Sequence, residues 1–182
     1  MRKHIFLPAI FLLPLCLSAQ ILTGIATEWS DSFRQWNLYT LNEETEGELR
    51  LRWATGEDWT EWNYSLDEHF GSAKIKWRNN PNEWEIRGDN VIVTARTLWN
   101  DDPREWRISG PGGRQFTLKC KYGNQIDEWY ITDERYGYFG MYTSWEGDPR
   151  DWVIVDELKE EVSLPEKMAL AFIVLYHSTP KE

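Results

Sequence analysis

Residues 116–131 read Phe116-Thr117-Leu118-Lys119-Cys120-Lys121-Tyr122-Gly123-Asn124-Gln125-Ile126-Asp127-Glu128-Trp129-Tyr130-Ile131. The first seven alternate, with Phe116, Leu118, Cys120 and Tyr122 set against Thr117, Lys119 and Lys121. A side-chain period of two marks an antiparallel strand buried on one face. A polar turn follows, then a second short strand opened by Trp129 and carrying Ile131 two residues later. Two such strands across a turn make a hairpin.

The same phrase recurs along the chain. Trp36, Trp62, Trp84, Trp106, Trp129 and Trp152 are spaced by 26, 22, 22, 23 and 23 residues. Seven residues before each, or nine in the second copy, stands another aromatic: Trp29, Trp53, Trp77, Trp99, Tyr122 and Trp145. Of the twelve tryptophans only Trp59 lies outside both series. A fixed period near 23 residues means one supersecondary unit repeated, here six hairpins and twelve strands. Asp102-Pro103 and Asp148-Pro149, like Asn80-Pro81, place Asx then Pro at the start of a turn. Gly47, Gly71, Gly88, Gly110 to Gly113 and Gly137 close the units.

The C-terminal part changes character. Ser163 with Glu166 three residues on is a capping box, and Pro165 suits a first helical turn. Met168–Tyr176 is apolar on every side, which predicts a helix over about 164–177 surrounded by protein. Its nine residues span about 14 Å, too little to cross a bilayer. Twelve strands about 4.8 Å apart and tilted about 40° close into a cylinder roughly 24 Å across. A helix about 10–12 Å wide leaves a gap one aromatic deep on each side. An open sheet would leave two unpaired edges. The predicted fold is therefore all-β, a twelve-stranded antiparallel barrel of six hairpin repeats around a buried C-terminal hydrophobic helix.

The first nineteen residues read as a signal peptide: Arg2 and Lys3, an apolar run from Ile5 to Leu17, then Leu17-Ser18-Ala19 before Gln20. Export to the periplasm or the outside is the expectation, with residues 20–177 as a single domain and 178–182 as a short tail. Cys16 raises lipid attachment, but Leu15 stands where a lipobox needs a small residue, so simple cleavage is preferred. Counted from Gln20 the chain has 18 basic and 30 acidic residues, a net charge of −12. That balance speaks against nucleic acid. Only Cys120 survives cleavage, so no internal disulfide is possible. No transmembrane segment is expected in the mature chain.

The W-x-I and Y-x-I strands, the turn phrase Asp102-Pro103-Arg104-Glu105-Trp106 and the final apolar helix together resemble the tubby-like C-terminal superfamily, which includes phospholipid scramblases and LURP-one-related proteins. The resemblance covers roughly residues 25–177. It implies a twelve-stranded barrel threaded by a hydrophobic helix. Members that bind phosphoinositides use basic strand residues, but this chain is acidic, so no catalytic or metal residue is carried over.

Chemistry-bearing groups are few. Asp101-Asp102, Glu146 with Asp148, and Asp127-Glu128 are paired carboxylates, but they recur at turn positions where Asp has a structural task. His69 falls in a turn, and His177 ends the helix, where a cation suits the dipole. Cys120 falls on the inward face as an inert thiol. No phosphate loop, dinucleotide fingerprint or zinc cluster is present, so no enzyme activity and no cofactor are expected.

Both Trp series take the face that carries Leu51, Ile75, Ile86, Ile108 and Ile154, which predicts core and disfavours sugar binding through them. Trp59 is the candidate surface aromatic. Arg50, Arg52, Lys74, Lys76, Arg96, Lys119 and Lys121 take the outward face of successive first strands. They make a candidate basic girdle for anionic lipid or another polyanion. The expected function is a non-enzymatic exported binding or scaffold domain at a lipid or envelope surface. The alternatives are an extracellular carbohydrate-binding module, signalled by exposed aromatics, and a carrier of an apolar ligand inside the barrel, signalled by a cavity beside the helix.

Overall fold

The computed structural model describes residues 21–42, 46–53, 56–100 and 102–181. The signal-peptide and Cys16 expectations lie outside these residues, as does Asp101. The described residues form twelve strands: β1 (Leu22–Trp29), β2 (Ser32–Thr40), β3 (Glu46–Leu51), β4 (Glu61–Leu66), β5 (His69–Ile75), β6 (Glu83–Gly88), β7 (Val91–Trp99), β8 (Asp102–Ser109), β9 (Gln115–Cys120), β10 (Glu128–Ile131), β11 (Gly137–Thr143) and β12 (Asp151–Leu158). Each pairs antiparallel with its chain neighbours, and β1 pairs with β12 to close the barrel. Closure leaves no edge strand. The turn from β6 to β7 is a two-residue loop, Asp89-Asn90, with both residues at positive φ (50° and 60°), the twist that a tight hairpin requires.

Helix α1 (Leu164–Ser178) lies inside. Leu164 through Leu175 are all buried, with the capping box of Ser163 and Glu166 formed. Its partners lie all round the wall, from Trp62 on β4 through Trp84 and Trp106 to Trp129 on β10 and Asp156 on β12. The helix leans toward β5–β8, where the inward residues include Ala73, Val93 and Ala95. Small side chains there let the backbones approach, while Trp36, Trp129, Phe139, Met141 and Trp152 fill other parts of the interior.

The first tryptophan series is core, as its alternation predicts. Trp36, Trp62, Trp84, Trp106, Trp129 and Trp152 lie one in each of the six even-numbered strands and are all buried. They form a belt around the C-terminal half of α1. Phe172 meets Trp62 and Trp84 edge-on with ring centroids 6.0 and 4.9 Å apart. Each buried indole N–H donates to a backbone carbonyl three residues earlier, Phe33, Trp59, Pro81, Pro103, Ile126 and Pro149 in turn, at 2.7–3.0 Å. The turn thus supplies the acceptor that a buried donor needs.

The second series is not core, against the expectation from alternation. Trp29, Trp53, Trp77, Trp99, Tyr122 and Trp145 are exposed, from 41% for Tyr122 to 74% for Trp145. β3, β5, β9 and β11 end before their aromatic is reached. In β1 and β7 the register shifts between Thr27 and Trp29 and between Thr97 and Trp99. There the partner strands advance four residues, Trp36 to Ser32 and Trp106 to Asp102, against two, so regular alternation is broken before Trp29 and Trp99.

Two other expectations are also corrected. Trp59 is buried at 8% exposure, packed on Trp62 with ring centroids 5.8 Å apart. It fills the place that Phe33, Pro81, Pro103, Ile126 or Pro149 takes three residues before the other core tryptophans. His177 does not act as a helix-end cation. It stacks on Trp106 at 4.7 Å, and burial, then the nearby Lys181, depresses its pKa to about 3. Lys181 takes the capping role instead, donating to the carbonyls of Tyr176 and Thr179.

At the other end of the barrel, the first turn of α1 is fixed by two buried ion pairs. Arg114 grips Glu166 with two hydrogen bonds of 2.8 and 3.0 Å, and Lys167 Nζ donates to Asp156 at 2.8 Å. Asp156 also accepts the backbone N–H of Leu22 and Leu158. Gly110 leaves room for the Glu166 carboxylate, which a Cβ would strike. Gly88 does the same for the Tyr64 hydroxyl. No described helix is long and apolar enough to cross a membrane.

Candidate functional site

Six exposed aromatics, one at the end of each odd-numbered strand, stand around the pole where the even-numbered strands begin. Among the described residues this aromatic crown gathers most of the exposed rings, with Tyr39, Phe70 and Tyr142 lying outside it. Adjacent members are two strands apart, about 10–12 Å along the rim. Clusters of exposed aromatics mark interaction surfaces more often than scattered ones do.

The turns beneath the crown are braced alike. A side-chain oxygen of Ser32, Asp58, Asn80, Asp102 or Asp148 accepts the backbone N–H two residues on. This is the local bond that makes such residues turn formers. Asp102 and Asp148 also each hold the arginine two residues later. Arg104, through its side-chain hydrogen bonds, holds Asp102 down at about 2. Arg34, Arg104 and Arg150 reach across to carbonyls of the next hairpin, at Gly56, Gly123 and Ser30. These carboxylates serve the turns.

The candidate basic residues do face outward, but each meets a carboxylate. Arg52 and Lys74 share Glu61, Lys76 pairs with Glu83 at 2.6 Å, Lys119 with Glu105 at 2.5 Å, and Lys121 with Glu128 at 2.6 Å. Arg50 lies 3.4 Å from Glu48, and Arg96 sits in register with Glu83. Lys76 first, then burial and the Trp77 indole acting in opposite directions, leaves Glu83 below the usual carboxylate range. Antiparallel register makes the pairs between strands, because outward positions of neighbouring strands face each other, while Arg50 and Glu48 lie two residues apart on β3. The seven girdle cations thus lie among five carboxylates, which cancel most of their charge.

The same pairs orient the crown. Arg52, Lys76 and Lys121 stand over the rings of Trp53, Trp77 and Tyr122 at 5.2–5.7 Å. The indole N–H groups of Trp77 and Trp99 donate to Glu83 and Glu105, both at 2.9 Å. Trp59 lies lower, between Arg34 and Lys181. Surface clefts open at this pole between neighbouring turns, one of them bounded by Trp99 and Tyr122. Cys120 faces inward with its thiol on the Gln125 carbonyl at 2.9 Å, and burial pushes its pKa up.

Alternation placed the crown residues on the wrong face, so sequence reasoning missed them as a surface. The signal available was the apolar residue three before each core tryptophan, which marks the turn and so the end of the strand pattern. No family model, curated protein or solved structure matches the chain.

Proposed function

We propose that this protein is an exported, non-enzymatic carbohydrate-binding module whose recognition face is the aromatic crown. The observation that carries the reading is the ring of six exposed aromatics at one pole of a rigid barrel. A pyranose presents an apolar C–H face and a rim of hydroxyls. It suits a flat exposed ring flanked by carboxylates and cations that can bond those hydroxyls. Loss of the second series from the core removes the argument that disfavoured sugar binding.

The other readings have less support. The glutamates beside the girdle cations weaken attraction for anionic lipid, and the overall charge is negative. The core around α1 is close-packed by side chains with little or no exposure, which works against an apolar cargo. A tubby-like relationship is part of the proposal and is supported by the closed barrel around an apolar helix.

The test is a glycan array run beside sedimentation with phosphatidylserine vesicles. Wild-type protein should bind glycans and remain in the supernatant with vesicles. A variant with Trp29, Trp53, Trp77, Trp99, Tyr122 and Trp145 all changed to Ser should bind no glycan. Salt-sensitive sedimentation with the vesicles and an empty array would overturn the proposal in favour of anionic lipid.

A further inference from the structure

The crown is not uniform, and one sector of it is built as a cleft. Between the β7–β8 turn and the loop after β9 lies a depression of about 330 Å³, bounded by Trp99 and Tyr122 and floored by Asp102, Arg104, Glu105 and Lys119. That volume lies at the lower end of the range for small-ligand sites, about 300–1,000 Å³.

Trp99 is held for use. Its indole N–H is bonded to Glu105, its side chain is 64% exposed, and no cation covers its ring among the described residues. Trp53, Trp77 and Tyr122 each carry the cation that precedes them. A ring already fixed in one rotamer loses little entropy when a ligand stacks on it.

The floor is rigid and electrically balanced. Arg104 binds Asp102 through two bonds of 2.7 Å, and its remaining nitrogen reaches the Gly123 carbonyl of the opposite wall at 2.8 Å. Lys119 pairs with Glu105, and Lys121 with Glu128. Such a floor gives an ion no net attraction. It still offers carboxylate lone pairs and ammonium protons to hydroxyls, which both donate and accept.

We propose that the Trp99–Tyr122 cleft binds a neutral hexopyranose oligosaccharide, one sugar ring stacking on Trp99 and its hydroxyls bonding to Asp102, Glu105 and Lys119. A hexopyranose can turn a face of axial C–H bonds to the indole while its hydroxyls reach the carboxylates and the ammonium beside it. This inference rests on the carbohydrate reading above and assigns it a place.

The experiment titrates the protein with cellohexaose, chitohexaose and β-1,4-galactohexaose by calorimetry and tryptophan fluorescence. At least one of the three hexasaccharides should bind. Trp99→Ala and Tyr122→Ala should each lose about tenfold or more in affinity, as truncated contact aromatics do. Trp99→Phe should keep part of it, and Phe70→Ala, an exposed ring at the start of β5 and outside the crown, should bind as wild type. Unchanged melting temperatures would show that the exposed substitutions leave the fold intact. Wild-type affinity in Trp99→Ala would overturn the cleft assignment while leaving the crown as a sugar-binding face. Glycan-array binding confined to charged glycans would do the same. No binding to any glycan would overturn both.

Discussion

Replacing Phe172 with Ala removes the side chain on which the barrel and its helix meet. Phe172 is 2% exposed and lies edge-on to Trp62 and Trp84 and against Tyr176, the last at 5.7 Å. A buried Phe→Ala change costs about 3–5 kcal/mol through lost transfer energy and the cavity left behind. The upper half of that range is expected, because two aromatic pairs worth about 0.5–1.5 kcal/mol each are lost with it. Trp62 and Trp84 have little freedom to collapse into the hole, since their indoles are tied to Trp59 and Pro81. With a urea slope of about 2–3 kcal/mol/M, the midpoint should fall by roughly 1.5 M. The assay is urea unfolding followed by tryptophan fluorescence and by circular dichroism, with coincident curves. Trp145→Ala serves as the surface control and should stay within about 0.5 kcal/mol of wild type. A midpoint for Phe172→Ala within about 0.3 M of wild type would refute the reasoning, because it would mean that the helix does not carry the core.

Other perturbations test the remaining internal contacts. Lys167→Met leaves Asp156 charged in the interior, and urea unfolding should show a loss of about 3–5 kcal/mol. Adding Asp156→Asn, which keeps an acceptor for the Leu22 N–H, should recover part of it; a cost below about 1 kcal/mol for the single change would count against the pair. His177, depressed from 6.5 to about 3 mainly by burial, stays neutral in the fold while the unfolded chain takes up a proton. Its contribution is therefore complete above pH 6.5 and declines as pH falls toward 3. Between pH 6.5 and 5, wild type should lose stability more steeply than His177→Gln by the slope of one proton, and an NMR titration should show no protonation of His177 above pH 4.

Strand character, turn positions and the buried helix were legible in the sequence because each is written in local periodicity. Leu49 and Leu51, Phe116 and Leu118, and Ile86, Ile108 and Ile154 fall inward as their alternation requires. Ser163 and Glu166 announced the helix start, and its all-apolar run announced burial. Geometry then required closure, since twelve strands around one helix leave neither void nor edge.

What the period did not carry was decided by how the strands meet. Whether Trp99 faces in or out depends on the irregular pairing between Thr97 and Trp99, where β8 advances four residues against two on β7, and whether Trp77 does depends on β5 ending at Ile75. A break in the ladder frees a side chain from the alternation of its strand without altering composition. The girdle looked basic because Lys76, Lys119 and Lys121 were read along their own strands. Pairing with Glu83, Glu105 and Glu128 comes from the adjacent strand. The grip of Arg114 on Glu166 joins residues 52 apart in the chain, and that of Lys167 on Asp156 ties the helix back to β12. Local sequence settles which residues alternate and where the chain turns. Inter-strand register, which exists only once the barrel has closed, settles which charges cancel and which aromatics are left facing solvent.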